Sequence, residues 1–414
     1  TPTITLVSDE EGPAGTEVEV KGTGFGDGEK ITIYFDGEEV ELVSTITAND
    51  LGTWTGKFVV PPASQGDHDI TADGGYTDED DVDAATFTVM PGISVSPTNG
   101  KVGTEVVVKG SGFRESERNI EILFDSRTVK SGITADSDGI FQTTVLVPNA
   151  TMGTHDIGAK GQYTSSGSVD EVEFEVEPTI TIEPLSGNVG TEITVSAAGL
   201  PANSAVTVTY DTTTKGTGTT SSDGTLAAIT FAATHTQTAH TADHQVCVVF
   251  DSTTLTEIFV MESTAPAKPT LRSPLSGTRI GLLGKQTPTL SWSVTEDPSG
   301  VSYGLQISAT PDFSQILISK SGLVAQGSAI IVSSSGPEMT YTLSEAEALP
   351  FGTYYWRVKA VDGAMNDSGW SASNTFKVGL LPTWAIIVVI VLAAILVAAL
   401  IYVLIIRDRV GLYD

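Results

Sequence analysis

The chain has 414 residues, more than one hydrophobic core of ordinary size accommodates, so its length predicts about three or four domains. It carries 51 acidic against 21 basic residues, a net charge of -30, and a surface of that sign repels nucleic acid and anionic lipid headgroups, which argues against both as partners. The single cysteine, Cys247, excludes an intrachain disulfide and lies in the apolar run QVCVVF, where we expect a buried thiol that acts as a small hydrophobe.

Three similar segments divide residues 1–264. Residues 15–25 read GTEVEVKGTGF, and related segments follow at 103–113 (GTEVVVKGSGF) and 190–200 (GTEITVSAAGL), at spacings of 88 and 87 residues. Each segment alternates apolar and polar residues, which is typical of a strand with one buried face, and glycines mark the turns. Short strands separated by such turns predict tandem β-sandwiches and therefore an all-β fold class.

The second copy carries the fullest pattern. From Pro97 to Phe113 it reads Pro-x-x-Gly-x-x-Gly-Thr-x-Val-x-Val-x-Gly-x-Gly-Phe, and in this it resembles the IPT/TIG family of immunoglobulin-like domains. The resemblance implies sandwiches at residues 1–91, 92–178 and 179–264, the last divergent because Leu200 replaces the phenylalanine. Since this family serves adhesins, surface-layer proteins, receptors and enzyme accessory modules, the resemblance implies a fold and no single function.

An acidic run in the first repeat, DEDDVD at 78–83, is a candidate calcium site. Its aspartates are Asp78, Asp80, Asp81 and Asp83, and carboxylate oxygens are ligands that suit Ca²⁺. The second repeat has TSSGS where the first has TDEDD, so the sandwich itself does not need these carboxylates. A solvated hairpin tip is the alternative interpretation, and apart from this candidate the sequence predicts no cofactor.

The histidines also need an interpretation in so acidic a protein. His68, His155 and His244 occupy one equivalent position in each repeat, which indicates a shared role in the fold at the start of a strand. His235 and His240 lie near His244, but their spacing matches no zinc motif, so the sequence predicts no metal site there.

A fourth, different domain follows the repeats. The proline-rich segment TAPAKP at 264–269 reads as a semi-rigid linker. Beyond it the segments LSWSV, YGLQI and YYWRVKAVD alternate as strands, and residues 265–378 resemble a fibronectin type III domain. In LPFGTY at 349–354, Tyr354 resembles the tyrosine corner of that fold, and we expect Trp292 to fill the core between the sheets.

The C-terminal region contains a membrane anchor. Residues 384–406 have no charged side chain and, at about 1.5 Å per residue, reach roughly 35 Å, so we predict a transmembrane helix at 383–406. Trp384 and Tyr402 are placed as interfacial aromatics, and Arg407 and Arg409 follow directly. The positive-inside rule then predicts a cytoplasmic tail at 407–414 and an extracellular N-terminus. Because the chain begins with Thr1, we expect a signal peptide to have been removed.

The sequence offers no catalytic constellation. No Gly-x-Ser-x-Gly, P-loop or dinucleotide fingerprint occurs, so we predict that the protein is not an enzyme. We expect a single-pass cell-surface protein with a structural or scaffolding role, as a surface-layer or stalk component. Its domains would supply length and contacts with itself or with other surface proteins.

Two other functions stay open. An adhesin or receptor would bind a polysaccharide or a protein through loops at its N-terminal tip, yet Trp54, the only tryptophan of the first repeat, is predicted to be a core residue. A membrane-anchored accessory subunit of an extracellular enzyme complex would have a stoichiometric enzyme partner.

Overall fold

The computed structural model of the protein describes residues 1–324, 330–333, 336–379 and 383–410. In this part of the chain the fold is all-β with one C-terminal α-helix, which confirms the predicted fold class. The chain divides into two compact units, Thr1–Thr181 with Val195–Ile229 and Val246–Glu257, and Ile182–Thr194 with Thr230–Gln245 and Ile258–Asp414. Because this division passes through the third repeat, the predicted domain ranges stay predictions.

The first repeat is a sandwich of two sheets. Its strands are β1 (Thr3–Leu6), β2 (Glu11–Gly12), β3 (Glu17–Thr23), β4 (Lys30–Phe35), β5 (Glu38–Glu39), β6 (Ile46–Thr47), β7 (Trp54–Val59), β8 (Gly66–Asp73) and β9 (Ala85–Val89). One sheet has the order β1-β3-β7 and the other β2-β9-β8-β4-β5, with β6 also paired to β4. Val18 and Val20 alternate with charged residues along β3 and are fully buried, and each such side chain contributes about 1.5–3 kcal/mol by leaving water.

The second repeat has the same plan. Its strands are β10 (Gly92–Ser96), β11 (Asn99–Lys101), β12 (Glu105–Ser111), β13 (Ile120–Phe124), β14 (Arg127–Ile133), β15 (Phe141–Leu146), β16 (Gly153–Lys160) and β17 (Val172–Glu177). The sheets are β10-β12-β15 and β11-β17-β16-β13-β14. The two repeats differ at one sheet edge. In the second repeat the edge strand is β14, whereas in the first repeat the short strand β5 has this position. After β5 the chain crosses to the opposite sheet, where Leu42 forms a bridge with Phe58.

The third repeat follows with eight strands in the described chain. They are β18 (Thr179–Glu183), β19 (Ser186–Gly187), β20 (Glu192–Ala198), β21 (Ala205–Tyr210), β22 (Thr213–Thr219), β23 (Leu226–Ala232), β24 (Asp243–Phe250) and β25 (Thr253–Met261). In the first unit β21 pairs antiparallel with β22 and with β24, as β13 does with β14 and β16. Cys247 on β24 is buried, as predicted, and its Sγ lies 3.4 Å from the hydroxyl oxygen of Thr256.

The fourth domain is also a two-sheet sandwich. Its strands are β26 (Leu271–Ser273), β27 (Thr278–Ile280), β28 (Thr289–Ser293), β29 (Val301–Ser308), β30 (Ile316–Val324), β31 (Ile330–Ser333), β32 (Gly336–Thr342), β33 (Gly352–Asp362) and β34 (Asn374–Val378), in the sheets β26-β28-β32-β31 and β27-β34-β33-β29-β30. Trp292 is fully buried in its core, and the hydroxyl of Tyr354 donates to the carbonyl oxygen of Pro350 at 2.9 Å. Both results confirm the sequence prediction.

All four sandwiches share one parallel strand pair in an otherwise antiparallel arrangement. A short strand near the start of each domain runs parallel to its last strand: β2 with β9, β11 with β17, β19 with β25, and β27 with β34. In the second repeat the pairing places Gly100 opposite Val176. This arrangement brings the beginning and the end of each domain to one sheet edge.

The only α-helix in the described chain is α1 (Thr383–Val410). Its segment Trp384–Arg407 has a mean hydropathy of 3.4 and is long and apolar enough to cross a membrane, and none of it is buried in the protein. An apolar surface of this size is stable in lipid and not in water. The predicted tail 407–414 continues the helix to Val410, and residues 411–414 lie outside the described chain.

Candidate functional site

A buried glutamate organises each of the first two repeats, and the sequence analysis missed it. Glu117 is 1% exposed, and its carboxylate accepts hydrogen bonds from the amides of Tyr163 and Thr164 at 2.8 and 2.9 Å and from the Thr164 hydroxyl at 2.8 Å. Glu29 has the same position and accepts from the amide of Tyr76 and from the hydroxyl of Thr77. The signal was present, because the two glutamates are 88 residues apart, the spacing of the repeats.

The electrostatics of this glutamate are those of a structural anion. Burial raises the pKa of Glu117, but its hydrogen bonds outweigh burial and hold the pKa below its ordinary value. The carboxylate therefore stays ionised at neutral pH and cannot serve as a general acid. Its hydrogen bonds tie the turn before β13 to the loop after β16.

Two histidines form identical clamps between a hairpin turn and a strand. The Nδ1 atom of His68 lies 2.5 Å from a carboxylate oxygen of Asp36, and its Nε2 donates to the carbonyl oxygen of Ser64 at 2.8 Å. His155 makes the same contacts with Asp125 at 2.6 Å and with Thr151 at 2.8 Å. Each ring also stacks on the phenylalanine that ends the paired neighbouring strand, Phe35 of β4 or Phe124 of β13. These contacts agree with the predicted role in the fold for His68 and His155. His244, at the equivalent position of the third repeat, is completely buried and lies beside His235.

The candidate calcium residues lie at an exposed tip. Asp78 caps a short 3-10 helix, Glu79–Asp81, by accepting from the amide of Asp80 at 3.3 Å. The second repeat forms the same turn, Ser166–Ser168, without carboxylates. Within the described residues, no three carboxylate oxygens of this tip, Asp83 included, lie within 4.8 Å of one another. Such a group of three occurs in the described chain only in the second unit. Calcium binding at the tip stays a prediction.

Three carboxylates do meet in the second unit, at the start of the fourth domain. The ligand oxygens of Glu262, Asp297 and Asp362 lie within 4.8 Å of one another. Asp362 is 3% exposed, and burial together with the two neighbouring carboxylates raises its pKa, although bonds from Asn366 oppose this. This cluster could not be predicted from the sequence, because its members come from three separate segments.

Neighbouring side chains fix the carboxylates of this cluster. The amide and the side-chain nitrogen of Asn366 donate to the two oxygens of Asp362 at 2.8 and 2.9 Å. The hydroxyl of Ser299 donates to Glu262 at 2.7 Å and accepts from the amide of Val189 at 3.3 Å. The cluster therefore links residues of the third repeat to loops of the fourth domain.

A histidine cluster lies in the same unit. The loop between β23 and β24 carries His235 and His240, and β24 itself carries the buried His244. The ring of His235 lies 5.5 Å from that of His244 and 6.4 Å from that of His240, measured between centroids. These residues are near one another in the sequence, but the arrangement of their rings could not be predicted from it.

A groove of about 1400 Å³ lies between the first two repeats, within the first unit. Prolines and aliphatic residues form much of its floor, among them Pro61, Pro91 and Ile93, and several acidic side chains surround it. In this described part of the chain its lining contains no Phe, Tyr or Trp.

The predicted anchor residues lie on α1. Trp384 and Tyr402 are 69% and 65% exposed, and their place at the membrane interface stays a prediction. Arg407 is exposed at the end of the apolar segment. Arg409 belongs to the same helix, and its side chain lies outside the described residues.

Comparison with protein families decides the nature of the first two repeats. Residues 2–89 and 93–176 match the model of the IPT/TIG domain. The first two repeats are IPT/TIG domains. Residues 278–382 match the Rha78A-like N-terminal immunoglobulin domain, which shares its sandwich architecture with the fibronectin type III domain that the sequence of this region resembles. The third repeat lies outside the residues matched by either model.

Several solved structures with tandem sandwiches are similar to this chain. The N-terminal eight Ig domains of Down Syndrome Cell Adhesion Molecule are 12% identical, with 92% of this chain and 49% of that chain covered and a TM-score of 0.19. This chain thus spans about half the length of that fragment. The ICAM-5 D1–D4 ectodomain fragment is 12% identical, with 91% and 100% covered and a TM-score of 0.19.

A third similar structure comes from Bacteroides ovatus. It is SGBP-B of a mixed-linkage glucan utilization locus, in complex with a mixed-linkage heptasaccharide, at 12% identity, 84% and 93% coverage and a TM-score of 0.24. No curated protein sequence matches the chain. The IPT/TIG and immunoglobulin-like architecture is typical of non-catalytic proteins.

Proposed function

We propose that the protein is a membrane-anchored extracellular scaffold, a surface-layer or stalk component in which IPT/TIG domains supply length and lateral contact surface. The observation that carries this proposal is the connection between successive repeats in the first unit. Only Met90 and Pro91 separate the last strand of the first IPT/TIG domain, β9, from the first strand of the second, β10. A connection this short leaves little freedom between two domains.

The two IPT/TIG domains also contact each other beside this connection. The amide of Gln65, in the first domain, donates to the carbonyl oxygen of Phe113, in the second, at 3.0 Å. Gly139 packs so closely that a Cβ atom there would lie 3.0 Å from the Cα of Ser64. Glycine at this position therefore permits close approach of two backbones.

The same contact occurs one repeat later. Pro178 alone separates β17 from β18, and a Cβ atom on Gly224 would lie 3.0 Å from the Cα of Thr151. Gly224 follows Gly139 by 85 residues, and Thr151 follows Ser64 by 87 residues, so equivalent positions meet in both places. A contact repeated in successive domains favours a protein whose role is to hold them in a fixed relation.

The anchor supports a cell-surface location. Helix α1 is long enough to span a bilayer, and we place its C-terminal end in the cytoplasm because Arg407 and Arg409 follow the apolar segment. The IPT/TIG domains are then extracellular. The net charge of -30 keeps such a surface soluble and away from anionic headgroups.

Isolation of the protein from its native membrane tests this function. Electron microscopy of membrane patches should show an ordered lattice or a regular layer of projections that contains the protein. Co-purification with one enzyme at fixed stoichiometry would instead indicate an accessory subunit. The scaffold would be the wrong function if the protein, purified in detergent, bound glycans as a monomer and formed no assembly.

The groove between the IPT/TIG domains favours an adhesin or receptor as the second candidate function. Its apolar floor and acidic surroundings fit a polypeptide better than a polysaccharide, since its lining contains no aromatic side chain on which a sugar ring stacks. A screen of glycans and cell-surface proteins against the full chain in detergent would separate the two ligand classes.

A further inference from the structure

We propose that His235, His240 and His244 form a binding site for a divalent transition metal ion of the zinc class. The site lies in the second unit, where the loop between β23 and β24 folds back over the first residues of β24. Neutral imidazole nitrogens are the side-chain ligands that Zn²⁺ and related ions prefer.

One pair of ring nitrogens is already at a chelating separation. The Nδ1 atom of His235 lies 3.5 Å from the Nε2 atom of His244. Two nitrogens bound to a tetrahedral zinc ion, each at about 2.0–2.1 Å, lie roughly 3.3–3.4 Å from each other. A metal ion between these two nitrogens would replace the hydrogen bond that joins them. The ring proton of a neutral His244 would then be on Nδ1, so that Nε2 binds the metal through its lone pair.

Backbone carbonyl groups orient two of the rings for metal binding. The Nε2 atom of His235 donates to the carbonyl oxygen of Ala239 at 3.0 Å, which leaves its Nδ1 as the lone-pair nitrogen. The Nδ1 atom of His240 donates to the carbonyl oxygen of Ala364 at 2.9 Å, which leaves its Nε2 as the lone-pair nitrogen. Metal-binding histidines in proteins are held in this way, with the second ring nitrogen on a carbonyl or carboxylate oxygen.

The third ligand is identified by an unsatisfied atom. The Nε2 atom of His240 is buried and has no hydrogen-bond partner. Buried polar atoms of this kind are rare, and a bound ion is one of their explanations. The three ligand nitrogens do not all lie within 4.8 Å of one another, so His235 and His244 form the preformed pair and His240 would have to move toward it when the metal binds.

The proposed metal also has a structural consequence within the second unit. His240 contacts Ala364, in the loop after β33 of the fourth domain, while His244 is part of the strand β24. A metal bound to both residues would fix the loop of the third repeat beside the fourth domain, where Glu262 and Asp362 already meet.

Zinc binding to the full chain in detergent tests the proposal, with any affinity tag removed. We expect one zinc ion per chain by isothermal titration and elemental analysis, and a rise in the thermal unfolding temperature on adding ZnCl₂. Cobalt should give the visible absorption bands of a tetrahedral nitrogen-ligated site. The double variant His235→Gln/His240→Gln should abolish one-to-one zinc binding, because it removes two of the three proposed ligands.

The matched control is His68→Gln/His155→Gln, which removes the same number of imidazoles from the two histidine clamps. We expect this control to bind zinc as the unchanged protein does. His244 is completely buried, so its substitution can unfold the strand, and the loop variant avoids that complication. Zinc binding that is unaffected by the loop variant, or weakened equally by both variants, would overturn the proposal, as would the absence of a one-to-one site.

Discussion

Glu117 is a charged side chain that stabilises the second IPT/TIG domain from the inside. Four hydrogen-bond donors converge on its carboxylate: the amides of Arg114, Tyr163 and Thr164 and the hydroxyl of Thr164. A buried charge is stable when its lone pairs are used in this way, and it is costly otherwise. Substitution of Glu117 therefore tests how much one buried carboxylate contributes to the stability of the sandwich.

Glu117→Gln should weaken the second domain by about 2–3 kcal/mol, because the amide has one oxygen fewer and turns N–H groups toward other donors. The effect has a pH signature. The pKa of Glu117 lies below its ordinary value of 4.5, so its stabilisation is complete at neutral pH and is lost as the pH falls through the folded-state pKa. Hydrogen exchange at the Thr164 amide should be faster in Glu117→Gln than in the unchanged protein. In this variant the protection of the amide should not change over the pH range in which Glu117 titrates, because residue 117 then has no titratable group.

Glu115→Gln is the matched control, since Glu115 is exposed two residues away. Its exchange rates should equal those of the unchanged protein. Equal protection of the Thr164 amide in both variants would show that the buried carboxylate does not stabilise the domain.

Asp362 should give the opposite pH dependence. Burial and the adjacent carboxylates raise its pKa, so the folded state binds a proton more readily than the unfolded state does. The stability of this region is therefore highest at acidic pH and falls as the pH rises from the ordinary value of 3.8 through the raised pKa. In Asp362→Asn this slope should disappear.

The amide of Asn366 reports on this change, because it donates to Asp362. Its hydrogen exchange, corrected for the intrinsic effect of pH, should accelerate with rising pH in the unchanged protein and in the exposed control Glu296→Gln, but not in Asp362→Asn. A slope that persists in Asp362→Asn would assign the titration to Glu262 or Asp297.

At the scale of secondary-structure elements, a glycine at a close backbone approach should be less tolerant of substitution than a glycine that faces open space. Gly139→Ala should cost more than Gly132→Ala, although both glycines have a φ of about +70°, at 69° and 76°. A Cβ atom on Gly139 would lie 2.0 Å from the carbonyl oxygen of Phe113, whereas a Cβ atom on Gly132 would meet nothing within 4 Å. The left-handed backbone alone costs about 1–2 kcal/mol in each case.

The Phe113 amide, which donates to the carbonyl oxygen of Gly139, reports on this difference by hydrogen exchange. Its protection should fall clearly in Gly139→Ala and stay near the unchanged value in Gly132→Ala. The same loss in both variants would show that backbone strain alone decides the outcome and that the close approach has no energetic role.

The strands that the sequence predicts well are those in which alternation and repetition agree. Val18, Val106 and Ile193 lie at one position of the three repeats and are fully buried. Tyr354 and Trp292 were predictable because each belongs to a motif with a physical reason for its position. The path of residues 40–45 was not, since the first repeat there leaves the plan of the second and Leu42 pairs with the opposite sheet.

Side-chain clusters were harder to predict than strands. The buried Glu29 follows the repeat period, so comparison of the repeats could have found it. Glu262, Asp297 and Asp362 are separated by 35 and 65 residues, and only the folded chain brings them together. The histidines of the β23–β24 loop were visible as a group, but the hydrogen bonds that orient their rings depend on the positions of Ala239 and Ala364.

For the whole molecule, the orientation in the membrane is the property to measure. Cys247 is buried, so a membrane-impermeant maleimide should leave the unchanged protein unlabelled on intact cells. Glu10→Cys, at an exposed position of the first IPT/TIG domain, should be labelled from outside. Tyr413→Cys, in the tail beyond the described residues, should be labelled only after permeabilisation.

The opposite labelling pattern would contradict the positive-inside assignment. The variant Arg407→Gln/Arg409→Gln tests whether these two arginines determine the orientation of the helix. Without their charges the preference for one orientation should weaken. Mixed labelling of Glu10→Cys in that background is the expected result.

The parallel strand pair of each sandwich has a mechanical consequence. A pull between the two ends of a domain acts in opposite directions on a strand near its start and on its last strand when these run parallel, as Asn99–Lys101 and Val172–Glu177 do. The force then runs along the strands, and their hydrogen bonds must break together instead of opening one after another. Tension between the two ends of the chain meets such a shear-loaded pair in each of the four described sandwiches.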